Sequence, residues 1–236
     1  MFAVMKKELK SYFLSPIGYV VMGIFLLVFS VFFFLTAVGS GSVDLGGLYY
    51  YTAVYGLLII VPILTMRMFS EERKSGTEQL ILTSPVSMAG VVFGKLLAAL
   101  GVIVITLLMS FMYFFIVKYF GNPNIKVVLV HMLGFVLVSL AALSVGMFAS
   151  SLTENQIISG VIAIAFLILS LFAGDLNSEL NNLSIMNFYQ KFPAGIISIK
   201  EIIGLVSFSA MFIVFTIMVM QRRKLVHWKI ITIFTK

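Results

Sequence analysis

Residues 17–38 read IGYVVMGIFLLVFSVFFFLTAV, twenty-two positions without a charge, an amide side chain or a proline. A helix needs about 20 apolar residues to cross roughly 30 Å of hydrocarbon, so this run is long enough to span a bilayer. It invites a second reading as a signal peptide with Ala37-Val38-Gly39 at the cleavage point. The apolar core of a signal is shorter, roughly 7–15 residues, so the run is read as an uncleaved span. Five similar runs follow at Leu48–Met66, Leu96–Val117, Val127–Ala149, Ile157–Gly174 and Ile202–Met220. None of the six contains Asp, Glu, Lys or Arg, and His131 sits one turn inside the fourth. The composition agrees: 61% of the 236 residues are hydrophobic, 11% are charged, and mean hydropathy is +1.13. A water-soluble domain carries about 25% charged residues, and a chain of this size cannot bury so much apolar surface in a core of its own. The sequence predicts an all-α polytopic membrane protein with six transmembrane helices. Secreted enzymes, nucleic-acid-binding domains and disordered linkers are excluded. With no cysteine, disulfides, thiolate metal sites and cysteine nucleophiles are excluded too.

The basic residues orient the spans. With the N-terminus in the cytoplasm, the inner segments hold Lys6, Lys7, Lys10, Arg67, Arg73, Lys74, Lys95, Arg222, Arg223, Lys224, Lys229 and Lys236, twelve residues. The outer loops hold four, Lys118, Lys126, Lys191 and Lys200. The positive-inside rule then places both termini in the cytoplasm, and Tyr49, Tyr50, Tyr51 and Tyr119 at the outer interface. The net charge of +7 is accounted for by orientation and by attraction to anionic headgroups, with no need for nucleic acid.

Residues 1–16 form a separate element. Phe2, Met5, Leu9 and Tyr12 recur at helical spacing opposite Lys6, Lys7 and Lys10, the pattern of an amphipathic helix lying on the inner leaflet. Pro16 breaks it from the first span.

The spans lack the parts of a self-powered machine. There is no buried ionisable group near the midplane for a coupling ion. No G-x-x-x-x-G-K-[ST] nucleotide loop occurs. His131 and His227 fall at opposite membrane faces, too far apart for a catalytic pair. Met66/Met68 and Met218/Met220 have M-x-M spacing, but residues two apart on a helix diverge by about 200° and do not converge on a copper ion. Small residues make two stripes, Ala142/Gly146/Ser150 and Gly90/Gly94/Ala98, which are read as internal packing seams, with a homodimer interface as the alternative. Pro62 is expected to kink the second span. Ser30, Thr52, Thr106, Ser110, Ser139 and Ser144 are expected to bond back to their own helices.

The connection between spans two and three, residues 67–95, holds Glu71, Glu72 and Glu78 among the nine acidic residues of the chain. Ser75-x-x-Glu78 has the form of a capping box before a helix presenting Leu80, Ile81 and Leu82. Ser84 caps a further start, with Pro85 at the first helical position. A short helix with an apolar tip between two spans suits docking into a groove on another protein. Packing against its own domain is the competing reading.

The run Glu71-Glu72-Arg73, Gly76-Thr77-Glu78, Leu80, Leu82, Ser84-Pro85-Val86-Ser87, followed by Gly94-Lys95, resembles the signature of ABC-2-type exporter permeases. Within that family the chain is most similar to the gliding-motility, GldF-like, permeases. Phe192-Pro-Ala-Gly-Ile-Ile-Ser-Ile-Lys-Glu-Ile-Ile resembles the family's stretch entering the last span, with Ala194 in place of its usual Arg and Lys200-Glu201 in place of Arg-Asp. The resemblance covers the whole chain. It implies a type V exporter-like arrangement: a connecting helix (1–16), a six-helix domain (17–224) with a coupling hairpin (67–95) and an outer re-entrant loop (175–200), and a basic tail (225–236).

The resemblance further implies a multi-pass subunit of the bacterial cytoplasmic membrane that binds no cofactor itself. ATP and Mg belong to a separate ATP-binding cassette subunit, and two permeases pair with two ATPases. The ATPase would dock on the hairpin through Glu71, Glu72, Arg73, Gly76, Thr77, Glu78, Leu80, Leu82 and Pro85. Glu71, Glu72 and Arg73 would pair with charges there or with Lys6, Lys7 and Lys10. The turn 150–156 would be a second contact. Export of an amphipathic substrate is the expected activity. The alternatives are force transmission to a further envelope protein, or a channel or membrane enzyme without an ATPase.

Overall fold

The computed structural model describes the chain except residues 40, 42, 84–85, 177–183 and 235–236, and it leaves out the side chains of 81–82, 175–176 and 226–234. The described residues contain helices and turns but no strand. Helix α1 (Phe2–Leu14) ends at Ser15, whose extended backbone (φ −94°, ψ 151°) turns the chain into α2 (Pro16–Phe33). Pro16 sits in the first turn, where its missing N–H is harmless. A π turn at Phe34–Val38 completes the first span. The second span is α3 (Gly46–Tyr51), a π turn (Thr52–Gly56) and α4 (Leu57–Thr65). It stops one turn past Pro62, so the proline lies at the last helical turn before the connection. Two short helices follow, α5 (Ser70–Lys74) and α6 (Glu78–Thr83). Then come α7 (Met88–Ser110) with α8 (Met112–Phe120), α9 (Ile125–Leu152), α10 (Gln156–Leu176), the short α11 (Ile185–Tyr189) and α12 (Ile199–Phe234).

Among the described residues, six stretches are long and apolar enough to cross a membrane: Pro16–Val38, Gly46–Lys74, Met88–Phe120, Ile125–Leu152, Gln156–Gly174 and Ile199–Leu225. They correspond one for one to the six sequence runs. Helix α9 is the centre, packed by α12, α10, α7 and α4, and Phe135, Val138, Leu143, Val145 and Met147 on it are fully buried.

Both small-residue stripes lie inside the chain. A Cβ on Gly146 would come within 2.4 Å of the Thr65 hydroxyl, and Ser150 Oγ accepts the Phe69 and Ser70 N–H groups at 3.1 and 3.4 Å. That stripe fits the end of the second span. On α7, a Cβ at Gly94 would lie 2.9 Å from Val4, and one at Gly101 3.1 Å from Leu9. The third-span stripe therefore receives α1. The N-terminal helix is docked on the bundle, with Tyr12 donating to the Leu64 carbonyl at 3.1 Å, while Lys6, Lys7 and Lys10 stay exposed. Burial, with Glu8 nearby, raises the Tyr12 phenol above its ordinary pKa and keeps it a donor. Phe2, read as part of the apolar face toward the leaflet, makes no buried contact with the bundle.

Thr106, Ser110 and Ser144 bond back to their own helices as expected. Ser30 instead pairs with Tyr113 of α8, and the buried hydroxyls of Thr52 and Ser139 meet no partner among the described residues.

At the end opposite α5 and α6, residues 184–200 of the outer loop are partly enclosed by the bundle. Ile185, Tyr189 and Phe192 are fully buried, and Tyr189 donates to the Tyr49 carbonyl at 3.1 Å. Phe192 and Phe188 press on Gly134 and Gly204, where a Cβ would lie 2.3 Å from the Phe192 Cβ and 2.3 Å from the Phe188 ring. Ile196, Ile197 and Ile199 remain exposed, and Leu183 lies outside the described residues. Glu201 pairs with Lys191 at 2.5 Å.

Candidate functional site at the hairpin end

The connection after the second span is built from local rules. Glu71 and Glu72 occupy the first turn of α5 and Arg73 and Lys74 its last, each sign at the helix end that favours it. Gly76 stops the helix with φ +73°, a left-handed conformation open to glycine at little cost. This stop undoes the capping box: Ser75 closes α5, donating to the Glu72 carbonyl at 3.2 Å and bonding Thr77 at 2.9 Å, and α6 begins only at Glu78. The start of α7 is capped by Ser87, whose hydroxyl accepts from the Gly90 N–H at 3.2 Å.

Behind these pieces lies a charge network. The Lys95 ammonium, on a side chain 3% exposed, reaches Glu72 at 2.8 Å and Glu8 of α1 at 3.1 Å. It also stands over the Phe69 ring, 5.5 Å from its centre. Arg73 lies 3.4 Å from Glu78 and 3.8 Å from Glu154 in the turn before α10. Arg223 of α12 meets Glu78 at 3.3 Å and donates to the Ser151 carbonyl. Arg67 and Glu71 make a more exposed pair at 3.0 Å.

The sequence-selected residues thus divide into two groups. Glu72, Arg73 and Glu78 turn inward and brace the hairpin: Glu72 is held by Lys95, and Arg73 and Glu78 pair with each other and with Glu154 and Arg223 respectively. The expected pairing with Lys6, Lys7 and Lys10 is not the one formed. Glu71 is held by Arg67. Gly76, Thr77 and Leu80 form the outward tip, with Leu80 71% exposed. Pro85 and the Leu82 side chain lie outside the described residues. The turn 150–156 touches the foot of the hairpin through Ser150 and Glu154.

Glu8, Glu154 and Arg223 escaped the sequence reading as site residues, and Lys95 entered it only as an orienting charge and as part of the Gly-Lys motif. Their signal was faint: a lysine directly against an apolar run, and a lone carboxylate on the N-terminal helix among lysines.

A hairpin with a foot tied to α1, α7, α9 and α12 and a tip left in the open can transmit displacement, because motion applied at Leu80 reaches α1, α7 and α12 through ion pairs and α9 through the Ser150 hydrogen bonds. No group of His, Cys, Asp and Glu among the described residues has the arrangement of a metal site. His131 is buried beside the Tyr49 ring at the opposite end, and the His227 side chain lies outside the described residues.

A sequence profile of the family described as ABC-2 family transporter protein matches residues 51–220, a range that contains the whole hairpin. No individual curated protein gave a match.

Proposed function

Since the chain belongs to the ABC-2 transporter family and is thereby a multi-pass membrane component of an ABC transporter, we propose that it is an exporter permease driven through the tip of its 67–95 hairpin. A separate ATP-binding cassette subunit, holding ATP and Mg, docks on Gly76, Thr77 and Leu80; Leu82 and Pro85 belong to the same proposed contact by the family resemblance alone. Both termini and the hairpin face the cytoplasm of a bacterial inner membrane. Two permeases pair to form the pathway, and the cargo is amphipathic or lipid-like, because the spans carry no charged binding site. The GldF-like resemblance belongs to the same proposal.

The observation that carries this reading is the contrast within one short segment. Glu72, Arg73 and Glu78 are consumed by internal ion pairs, whereas Leu80 is exposed beside them. An apolar side chain held out on a braced support fits a partner's groove.

The test is purification of the tagged chain from its native membrane in mild detergent. An ATP-binding cassette subunit at equal stoichiometry is expected, and Leu80→Asp should remove it while membrane insertion persists. Isolation of the chain alone under conditions that preserve other complexes would overturn the proposal. A further envelope protein in the complex, with ATPase activity set by that protein and not by hydrophobic compounds, would replace export with force transmission.

A further inference from the structure

A groove of about 240 Å³ opens at the hairpin end between the start of α2, the end of α4 and the start of α10. Ile17, Val20, Ile63 and Met66 make its apolar wall, and Arg67 and Gln156 its polar rim. A smaller polar recess of about 70 Å³ shares Ile17 and Arg67 with it and adds Ser11, Ser15 and Glu71. Arg67 uses Nε and Nη2 on Glu71, at 3.0 and 3.2 Å, with its side chain 32% exposed. Among the described residues no other acceptor engages it, so part of the guanidinium fork is left for a ligand.

We propose that this groove holds an anionic phospholipid of the surrounding leaflet, with its phosphate on Arg67 and Gln156 and the start of one acyl chain against Ile17, Val20 and Ile63. Three observations converge on that occupant. The wall belongs to segments long and apolar enough to span a membrane. The rim lies where Pro16 separates the N-terminal helix from the first span and Arg67 ends the second, the depth of headgroups. A guanidinium there suits a phosphate by charge and by fork geometry, and basic pockets between transmembrane helices are a recurrent form of lipid headgroup site. The Arg67 fork is also what holds Glu71 of α5.

The proposal goes beyond export and does not rest on it; it requires only that the chain be embedded in a bilayer. The test is native mass spectrometry of the purified full-length chain with equal amounts of phosphatidylglycerol and phosphatidylcholine of identical acyl chains. The wild type should retain phosphatidylglycerol about five-fold better, the preference one basic group gives near an anionic headgroup. Arg67→Gln should erase the preference and Arg67→Lys should keep part of it. Val20→Trp, which fills the wall, should reduce adducts of both lipids. Glycerol phosphate in excess should not displace the lipid. Equal retention of the two lipids by the wild type, a preference that survives Arg67→Gln, adducts indifferent to Val20→Trp, or displacement by glycerol phosphate would each overturn it. If Arg67→Gln fails to fold, Arg67→Lys and Val20→Trp still decide the matter.

Discussion

Lys95 and Glu72 lie 2.8 Å apart, with side chains 3% and 16% exposed, and Glu8 joins the same ammonium at 3.1 Å. Three elements, α1, α5 and α7, meet on one cation. Taking charges out of water costs several kcal/mol per ion, so the arrangement holds only while all partners are present.

Lys95→Met should therefore be among the most damaging single changes in the chain. It strands Glu72 and Glu8, and loss of one partner from a buried pair costs about 3–5 kcal/mol. Adding Glu72→Gln to Lys95→Met should recover part of that loss. Thermal unfolding in detergent, run as a double-mutant cycle, measures it; additive effects of the two changes would show that the contact carries no coupling.

Docking of α1 makes a second prediction. At Gly94 a Cβ would lie 2.9 Å from Val4 Cβ and 3.1 Å from the Met1 carbonyl, and backbone does not yield as a side-chain end does. Gly94→Val should push α1 off α7 and open the N-terminal segment to protease, while Gly23→Ala, with nothing within 4 Å, should leave it protected. Equal protection in both variants would contradict the packed position of α1.

These two cases show where the sequence was legible. The six spans were readable because each is an uninterrupted apolar run, and hydropathy depends on composition alone. The hairpin was readable because its turn residues and charges interrupt that pattern. The role of Lys95 was hidden: a window beginning at Leu96 treats it as a flanking charge, yet α7 begins at Met88 and carries it two turns inside the helix. Burial of a charge is decided by what packs over it, here α1, and that tertiary contact has no local signature. The Gly90/Gly94 stripe announced a close approach without naming the partner. The capping box failed for a local reason, because left-handed Gly76 ended α5 before Ser75 could start α6.

The outer loop is open to the same kind of test. Phe192 and Phe188 rest on Gly134 and Gly204 at distances that leave no room for a methyl group. Gly134→Ala combined with Gly204→Ala should expel the α11 segment, raising the reactivity of a cysteine placed at Tyr189, which is fully buried in the native chain. Unchanged protection of that cysteine would mean the segment is held by contacts other than these.

Orientation is accessible because the chain has no cysteine of its own. Single cysteines at Lys7 and Thr77 mark one end of the bundle, and at Tyr119 and Ile196 the other; all four positions are exposed. In spheroplasts, a membrane-impermeant maleimide should label Tyr119→Cys and Ile196→Cys and spare the other two until the membrane is broken. The reverse pattern would overturn the cytoplasmic placement of the hairpin drawn from the distribution of lysine and arginine.

The tip of the hairpin should separate coupling from stability. Gly76 holds φ +73° with nothing within 4 Å of a Cβ, so Gly76→Ala meets no clash and pays only for the left-handed backbone, about 1–2 kcal/mol. That strain falls between α5, which is anchored by Lys95, and α6, which carries Leu80. Relieving it moves α6 relative to the foot and loosens the Glu78 pairs with Arg73 and Arg223, while Lys95 keeps Glu72 and Glu8. Gly76→Ala should therefore unfold within a few degrees of the wild type yet stimulate the partner ATPase several-fold less, whereas Lys95→Met should lose both together. If Gly76→Ala were fully coupled, the proposed docking through Leu80 would not depend on the angle between the two short helices, and that part of the proposal would fall.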